Sequence, residues 1–131
     1  MSAAGKPRVL DGAATSDVVT EPDLSWTVPW LLADRIARNP DSTIIERKAA
    51  LGRSWVDVTA RNFGEDVARV ASGLVGMGLE PGQCVSIMAH TSYEWTLLDM
   101  AIARAALVSV PIYETDSASQ VQWILQDADV R

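Results

Sequence analysis

Apolar positions are densest between residues 84 and 115, and this block decides the predicted fold. Residues 84–89 and 108–113 are short apolar runs typical of buried strands, and residues 91–107 form a helical stretch that is apolar on nearly every face. Two buried strands joined by a helix make a βαβ unit, in which the strands are parallel and the crossover is right-handed. The sequence therefore predicts an α/β fold with a parallel-sheet βαβ core.

Two smaller structures are predicted ahead of this core and flank it. A helix begins near Thr27 and ends at Asn39-Pro40. Its predicted apolar side consists of Leu31, Leu32, Ile36 and Ala37. Residues 43–47 and 53–56 are short extended pieces with Gly52 between them, which predicts a small β-hairpin.

A long helix is predicted to follow, with Asp57 as its N-cap and Gly78 as the left-handed residue that ends it. A single apolar stripe runs along it at helical spacing. The stripe consists of Phe63, Val67, Val70, Ala71 and Leu74. The other side carries Arg61, Glu65 and Arg69, whose spacing predicts a solvated face with i, i+4 ion pairs.

Two helix starts carry the capping-box signature, a hydroxyl residue followed three positions later by Glu or Gln. Thr91 with Glu94 is predicted to start the central helix, and Ser117 with Gln120 a last helix that leads into a third strand near residues 129–131. We expect the central helix to be the most buried element. The residues expected on the buried faces of the two helices are Trp95, Leu98, Ile102, Val121, Trp123, Ile124, Leu125 and Ala128.

Composition and overall charge argue against several classes of partner. The 131 residues have the size of one domain and a net charge of −6, which argues against nucleic acid and against an anionic membrane surface. The most apolar stretch, residues 96–112, is too short and too charged to cross a membrane. The single cysteine, Cys84, fits a reducing cytoplasm. Residues 1–24 are predicted to be a disordered lead-in to a domain at residues 25–131.

Candidate site residues are few, and the sequence shows neither a catalytic constellation nor a metal-binding cluster. His90 follows the first predicted core strand, and Tyr113, Glu114 and Thr115 follow the second. Open α/β sheets bind ligands at the carboxyl ends of their strands, so these four residues are the predicted substrate-binding candidates. An ordinary polar loop accounts for the last three nearly as well, and a loop histidine beside a helix start accounts for His90.

Four segments, in this order, carry a resemblance to a known family. They are Ser54-Trp55-Val56-Asp57-Val58, Gly78-Leu79-Glu80-Pro81-Gly82-Gln83-Cys84-Val85, Tyr93-Glu94-Trp95-Thr96-Leu97-Leu98-Asp99 and Val110-Pro111-Ile112-Tyr113-Glu114-Thr115. From Val28 onward the chain resembles the N-terminal part of AMP-forming acyl-CoA synthetases, the adenylate-forming ligase superfamily. The last two segments resemble its long-chain fatty-acid branch. The chain departs from the family's usual residues at Gln83 (usually Asp), Cys84 (commonly cationic) and Ala106 (usually Gly).

The resemblance implies a two-step reaction on a fatty acid. Its carboxylate attacks the α-phosphate of ATP to form an acyl-adenylate, and the thiol of CoA then displaces AMP, with Mg²⁺ offsetting phosphate charge. The family's catalytic groups are a Ser/Thr/Gly-rich loop ending in Pro-Lys-Gly and a lysine in a C-terminal domain. Neither is present, because the only lysines are Lys6 and Lys48. We therefore assign no catalytic residue, and expect the 131-residue chain alone to be inactive, to bind no cofactor and to self-associate.

These expectations describe the N-terminal piece of a long-chain fatty-acid–CoA ligase, an incomplete part of a larger adenylation domain. Met1 is expected to be a natural start, and Arg131 to interrupt a longer domain. The full-length enzyme is expected in the cytoplasm, with peripheral contact to membranes. Two alternatives stay open: a stand-alone, non-catalytic α/β binding module, and a piece of another adenylating enzyme, either amino-acid-activating or a short-chain acyl-CoA synthetase.

Overall fold

The computed structural model describes residues 8–10, 13–15, 25–49, 52 and 54–131. Within these ranges, helices and strands alternate along most of the chain. In order they are β1 (Arg8–Leu10), β2 (Ala13–Thr15), α1 (Val28–Arg38), β3 (Thr43–Lys48), β4 (Trp55–Thr59), α2 (Ala60–Gly76), β5 (Cys84–Met88), α3 (Tyr93–Arg104), β6 (Val108–Ile112) and α4 (Ala118–Asp127). The arrangement confirms the predicted α/β class.

The parallel pair β5–β6, with α3 between the strands in sequence, is the predicted βαβ core. The register begins with Cys84 opposite Val108. Where a third strand is expected, Val130 forms an isolated parallel bridge with Cys84, and the Arg131 amide donates to the Cys84 carbonyl at 3.0 Å. β5 thus has a bonded neighbour on each side, which fits its nearly continuous apolar sequence.

The predicted hairpin is confirmed by the antiparallel pairing of β3 with β4, and Gly52 between them has a positive φ of 66°. The second strand differs in extent, because it runs through Thr59 and not only to residue 56. Asp57 therefore lies inside β4, opposite Glu46, and the prediction that Asp57 caps α2 is wrong. The cap is Thr59, whose hydroxyl accepts from the Asn62 amide at 3.2 Å.

One core cluster lies where α1, the hairpin and α2 meet α3. Its buried members are Leu32, Val58, Phe63, Val67, Ala71 and Ala101. The predicted stripe of α2 is confirmed, since three of its residues are in this cluster and the other two pack against it. Gly64 allows α1 to come close, because a Cβ at this position would collide with the end of the Ile36 side chain.

The helix predicted from Thr27 is confirmed as α1, with Thr27 as the N-cap and Pro29 in its first turn. Half of its predicted apolar side is wrong. Leu32 and Ile36, four residues apart, face the core, but Leu31 and Ala37 are exposed. The positions beside an i, i+4 pair point about 100° away from it, so a narrow contact with α2 leaves them in solvent.

The solvated face of α2 is confirmed, but the ion pairs predicted along it are not formed. Arg61, Glu65 and Arg69 are all exposed. Arg61 reaches Asp41 at 3.4 Å, and Arg69 pairs with Asp66. Arg61 turns away from Glu65 because the turn before β3 lies beside the first turn of α2. Gly78 follows the helix with a φ of 89°, as its predicted left-handed role requires.

The central helix begins later than predicted. α3 starts at Tyr93, and Ser92 is its N-cap, with a hydroxyl that accepts from the Trp95 amide at 3.2 Å. The capping box predicted for Thr91 with Glu94 is therefore wrong by one residue. A neighbouring serine and threonine offer equivalent hydroxyls, so the local sequence does not decide between them.

α3 is not the most buried element among the residues the structure describes. It has two buried residues, Ala101 and Ile102, whereas α2 has four. Ile102 is 1% exposed and packs with Ile87 and Leu107, but Trp95 and Leu98 are only partly buried. A helix that is apolar all round needs cover on every side, and the described chain covers α3 on the sides of α2 and the sheet.

The last helix, α4, carries the predicted capping box of Ser117 and Gln120. The Ser117 amide donates to the Gln120 side chain at 2.8 Å. None of its residues is fully buried. The four positions predicted to face inward are partly buried, and Trp123 is 64% exposed, so its predicted burial is wrong. The face of α4 beside Met88 forms an open apolar groove of about 610 Å³.

The lead-in contains an element that the sequence does not predict. Arg8–Leu10 and Ala13–Thr15 form a short antiparallel pair. These six are the only residues of the predicted disordered segment, residues 1–24, that lie within the described part of the chain.

We expect Ala106→Gly to stabilise the chain. Ala106 has a φ of 58°, a left-handed conformation that favours glycine, and its carbonyl accepts from the Gly82 amide at 2.8 Å. The substitution should raise the free energy of unfolding by about 1 kcal/mol in urea titrations. Ala103→Gly, inside α3, is the matched control and should lower it by about 1 kcal/mol. Losses of equal size from both substitutions would contradict the left-handed assignment.

Candidate functional site

A cleft of about 490 Å³ opens at the carboxyl ends of β5 and β6. The loop after β5 and the loop after β6 form its two sides, as parallel strands require. Its lining consists of Ala89, His90, Thr91, Trp95, Pro111, Ile112, Tyr113 and Glu114. Three of the four predicted site residues, His90, Tyr113 and Glu114, are thus brought together. The fourth, Thr115, is exposed and lies outside the lining.

The polar side of the cleft is a contact between its two loops. Nδ1 of His90 meets the Oε2 atom of Glu114. The His90 side chain is 88% exposed and that of Glu114 36% exposed. A pair this open to water contributes at most about 1 kcal/mol, so a ligand can replace either partner at low cost. The contact therefore offers one cationic or donor group and one carboxylate to a bound molecule.

The apolar side of the cleft is formed by Trp95, Pro111 and Ile112. Trp95 lies in the first turn of α3 and is partly buried, and Ile112 at the end of β6 is fully buried. Sequence reasoning assigned Trp95 to the core, and it does pack against the cluster of Ile87, Ile102 and Leu107, but its additional place in the cleft lining was missed. Its position could have been found, because the first turn of a helix that follows β5 begins at the same edge of the sheet.

The loop after β6 is held in shape by Asp116. Its carboxylate accepts from the Tyr113 amide at 3.1 Å, and its own amide donates to the Tyr113 carbonyl at 3.1 Å. The Tyr113 side chain extends into solvent at the rim of the cleft. This closed turn directs Glu114 towards His90 and leaves Thr115 on the outside.

Tyr93 holds the start of α3, which supports the cleft from behind. Its hydroxyl donates to Asp66 of α2 at 2.5 Å, and its ring packs edge-on against Phe63 at 5.9 Å between centroids. The guanidinium of Arg47, from the hairpin, lies 4.9 Å from the same ring. Burial and the hydrogen bond to Asp66 raise the pKa of Tyr93 to about 12. Two elements, α2 and the hairpin, therefore converge on one side chain of α3, two residues before Trp95.

Two further observations concern metal ligands and membrane-spanning helices among the described residues. They contain no group of three or more His, Cys, Asp or Glu side chains that could hold a metal ion. No helix among them is long and apolar enough to cross a membrane.

Comparison with known proteins identifies the family. Residues 32–131 match the family described as AMP-binding enzyme. The chain belongs to this family. The match includes both strands of the core, the cleft and all four predicted site residues, because it extends over about three quarters of the sequence from α1 onward.

Among curated proteins, the chain is similar to the long-chain-fatty-acid–CoA ligase FadD15 of Mycobacterium bovis. The two are 42% identical over 91 residues, which are 70% of this chain and 15% of FadD15. The chain therefore spans about one seventh of the length of this relative.

Among solved structures, a fatty acyl CoA synthetase of Mycobacterium tuberculosis superposes with a TM-score of 0.67 at 25% identity, covering 79% of this chain and 20% of that one. Klebsiella oxytoca NpsA, solved in complex with 3-hydroxyanthranilyl-AMSN, superposes with a TM-score of 0.69 at 22% identity, with the same coverage. The second likeness shows a shared fold.

We expect the stability of the folded chain to fall between pH 10 and about 12. A tyrosine in the unfolded chain ionises near pH 10, whereas folded Tyr93 ionises near 12. The contribution of neutral Tyr93 is thus fully present below pH 10 and is lost as the pH rises through about 12. Tyr93→Phe should cost about 1 kcal/mol at pH 7 and flatten this decline. Urea unfolding at pH 7 to 11 measures both effects.

The matched control is Tyr113→Phe, which removes the other tyrosine of the sequence from the exposed rim. It should change the free energy of unfolding by less than about 0.5 kcal/mol at pH 7. Identical pH dependence in the wild type and Tyr93→Phe would contradict the proposed coupling of Tyr93 to Asp66.

Proposed function

We propose that this chain is the N-terminal segment of an ATP-dependent, AMP-forming long-chain fatty-acid–CoA ligase. The observation that carries the proposal is the 42% identity to the long-chain ligase FadD15, within a region that matches the AMP-binding enzyme family. The chain's own fold supports it, since the βαβ core and the cleft at its edge lie inside the matched region. The full enzyme would convert a fatty acid, ATP and CoA into an acyl-CoA thioester through an acyl-adenylate.

The role proposed for the cleft is to hold part of a substrate. Its apolar side, formed by Trp95 and Ile112, faces a polar side formed by His90 and Glu114. Such a surface fits a molecule with both apolar and charged parts, which is a property of all the substrates named above. His90 supplies a donor or a cation, Glu114 supplies an acceptor, and Trp95 excludes water from the apolar part.

The described residues do not fit Mg²⁺. The lining has a single carboxylate, Glu114, and the described residues contain no group of three or more possible metal ligands, whereas Mg²⁺ needs further oxygen ligands such as substrate phosphates. The sequence also lacks a Ser/Thr/Gly-rich loop ending in Pro-Lys-Gly. In this proposal, activation of ATP therefore depends on other parts of the full-length enzyme, and the 131 residues supply scaffold and substrate contacts.

The proposal places the full-length enzyme in the cytoplasm, with peripheral contact to membranes, where its fatty-acid substrates partition. It also includes self-association of the 131-residue chain on its own. The apolar groove beside α4, lined by Met88, Val121 and Leu125, supports that part, because exposed apolar side chains leave water when they pack against another chain.

We expect the 131-residue chain alone to show no fatty-acid-dependent exchange of pyrophosphate into ATP, because it has no phosphate loop and no catalytic lysine. The positive arm is a chimera in which the matching 91 residues of M. bovis FadD15 are replaced by those of this chain. Its kcat/KM for AMP release with long-chain fatty acids should stay within about tenfold of that of FadD15.

Three outcomes would contradict this proposal. Exchange activity in the isolated chain would show that the catalytic groups lie within it. A chimera that folds, as judged by circular dichroism, but releases no AMP would favour a stand-alone binding module. A chimera whose preference shifts to an amino acid or acetate would place the chain in another adenylating branch.

We expect cleft substitutions in that chimera to act on substrate affinity. Trp95→Ala and Glu114→Ala should each raise the KM of at least one substrate by about tenfold with little change in kcat, the result of losing uniform binding. Trp95→Phe should restore much of the loss, since it keeps an aromatic side chain. Thr115→Ala, just outside the lining, is the matched control and should change KM by less than about threefold. Equal effects at Glu114 and Thr115 would contradict the cleft as a binding site.

A further inference from the structure

The outer end of the hairpin differs in charge from the rest of the molecule. Residues 47–56 contain three cationic residues and no acidic one, in a chain whose net charge is −6. The pairing within the hairpin shows that two of these cations lie in the two pairs nearest the turn. Lys48 is opposite Trp55, Arg47 is opposite Val56, and the next pair inward is acidic, Glu46 with Asp57.

Directly opposite residues of an antiparallel pair share one face, and successive pairs face opposite sides. Each face at the outer end therefore carries one cation and one apolar side chain: Lys48 with Trp55, and Arg47 with Val56. All four residues are exposed, Trp55 to 64% and Val56 to 41%. We call these four residues the hairpin end.

The two cations of the hairpin end are associated with aromatic rings. Nζ of Lys48 lies 5.7 Å from the centroid of the Trp55 ring, and the Arg47 guanidinium lies over Tyr93. Neither takes part in the ion pairs found in the described part of the chain. Both side chains are exposed, so solvent or an anionic surface can reach their charges, although carboxylates such as Glu46 and Asp57 lie nearby.

We propose that the hairpin end docks on an anionic lipid surface, a proposal that rests on the peripheral membrane contact included in the proposed function. Tryptophan is favoured at the level of the lipid headgroups, because its ring is largely apolar while its N–H group can donate a hydrogen bond. A Lys or Arg near an anionic surface strengthens binding about fivefold. At physiological salt the Debye length is about 8 Å, so charges elsewhere on the acidic chain are largely screened from the contact.

Docking by the hairpin end would bring the candidate cleft close to lipid. Arg47 contacts Tyr93 in the first turn of α3, and the cleft is lined by Trp95 of the same turn and by Thr91 just before the helix. A fatty acid dissolved in the bilayer would then lie near the cleft. The acidic pair Glu46–Asp57, one step inward, opposes deeper insertion and fixes which end faces the membrane.

The test is co-flotation of the 131-residue chain with phosphatidylcholine vesicles that contain about one third phosphatidylglycerol, against pure phosphatidylcholine vesicles. We expect binding to the anionic vesicles only, with loss of binding near 1 M salt, where the Debye length is about 3 Å. Arg47→Gln with Lys48→Gln should weaken partitioning about 30-fold. Trp55→Ser should weaken it further and remove a blue shift of tryptophan emission on binding.

Arg35→Gln with Arg104→Gln is the matched control. It removes two exposed cations, one from α1 and one from α3, and leaves the hairpin end intact. It should change partitioning less than about twofold. If the double hairpin variant proves unfolded by circular dichroism, the single charge reversal Lys48→Glu takes its place.

The proposal is overturned if the wild-type chain ignores anionic vesicles, binds both vesicle types equally, or loses binding equally in the hairpin and control variants. Such results would remove the membrane contact alone, since AMP release by the FadD15 chimera tests the ligase function separately.

Discussion

The position of β5 between two parallel neighbours is the constraint on which the second half of the molecule depends. β6 pairs along one side of it, and Val130 forms a parallel bridge on the other. A parallel pair needs a crossover, and α3 supplies it while burying Ile102 against Ile87 of β5. Because the strands are parallel, the loops that follow them meet at one edge. The contact between His90 and Glu114, and with it the candidate cleft, is a consequence of that geometry.

Tyr93 connects this core to the first half of the chain. Its ring and hydroxyl contact the hairpin through Arg47 and helix α2 through Phe63 and Asp66. The side chain is only partly buried, yet its neutral form is favoured by that burial and by the hydrogen bond that its hydroxyl donates to the Asp66 carboxylate. Trp95 follows two residues later. The apolar side of the cleft therefore depends on a polar contact that lies outside the cleft.

The described surface has two unusual regions with different chemistry. The groove beside α4 is apolar and carries Val121 and Leu125, whereas the hairpin end combines cations with exposed Trp55. The chain covers 15% of the length of FadD15. Family membership follows from the sequence of the core. The proposed membrane contact follows from the local pairing of a hairpin, which the net charge of −6 conceals.

Periodicity and the positions of strand ends alone determined the class of the fold, the order of its main elements, the stripe of α2 and three residues of the cleft lining, His90, Tyr113 and Glu114. These features depend on which residues avoid water and where strands end, both of which are local properties. Tertiary structure decided the rest. Asp57 was drawn into β4 by pairing with Glu46, Ser92 replaced Thr91 as a cap, and Trp123 stayed in solvent because burial requires a partner surface. Trp95 lines the cleft for the same reason: whether an apolar side chain becomes core or binding surface depends on what packs over it, which a single sequence does not state.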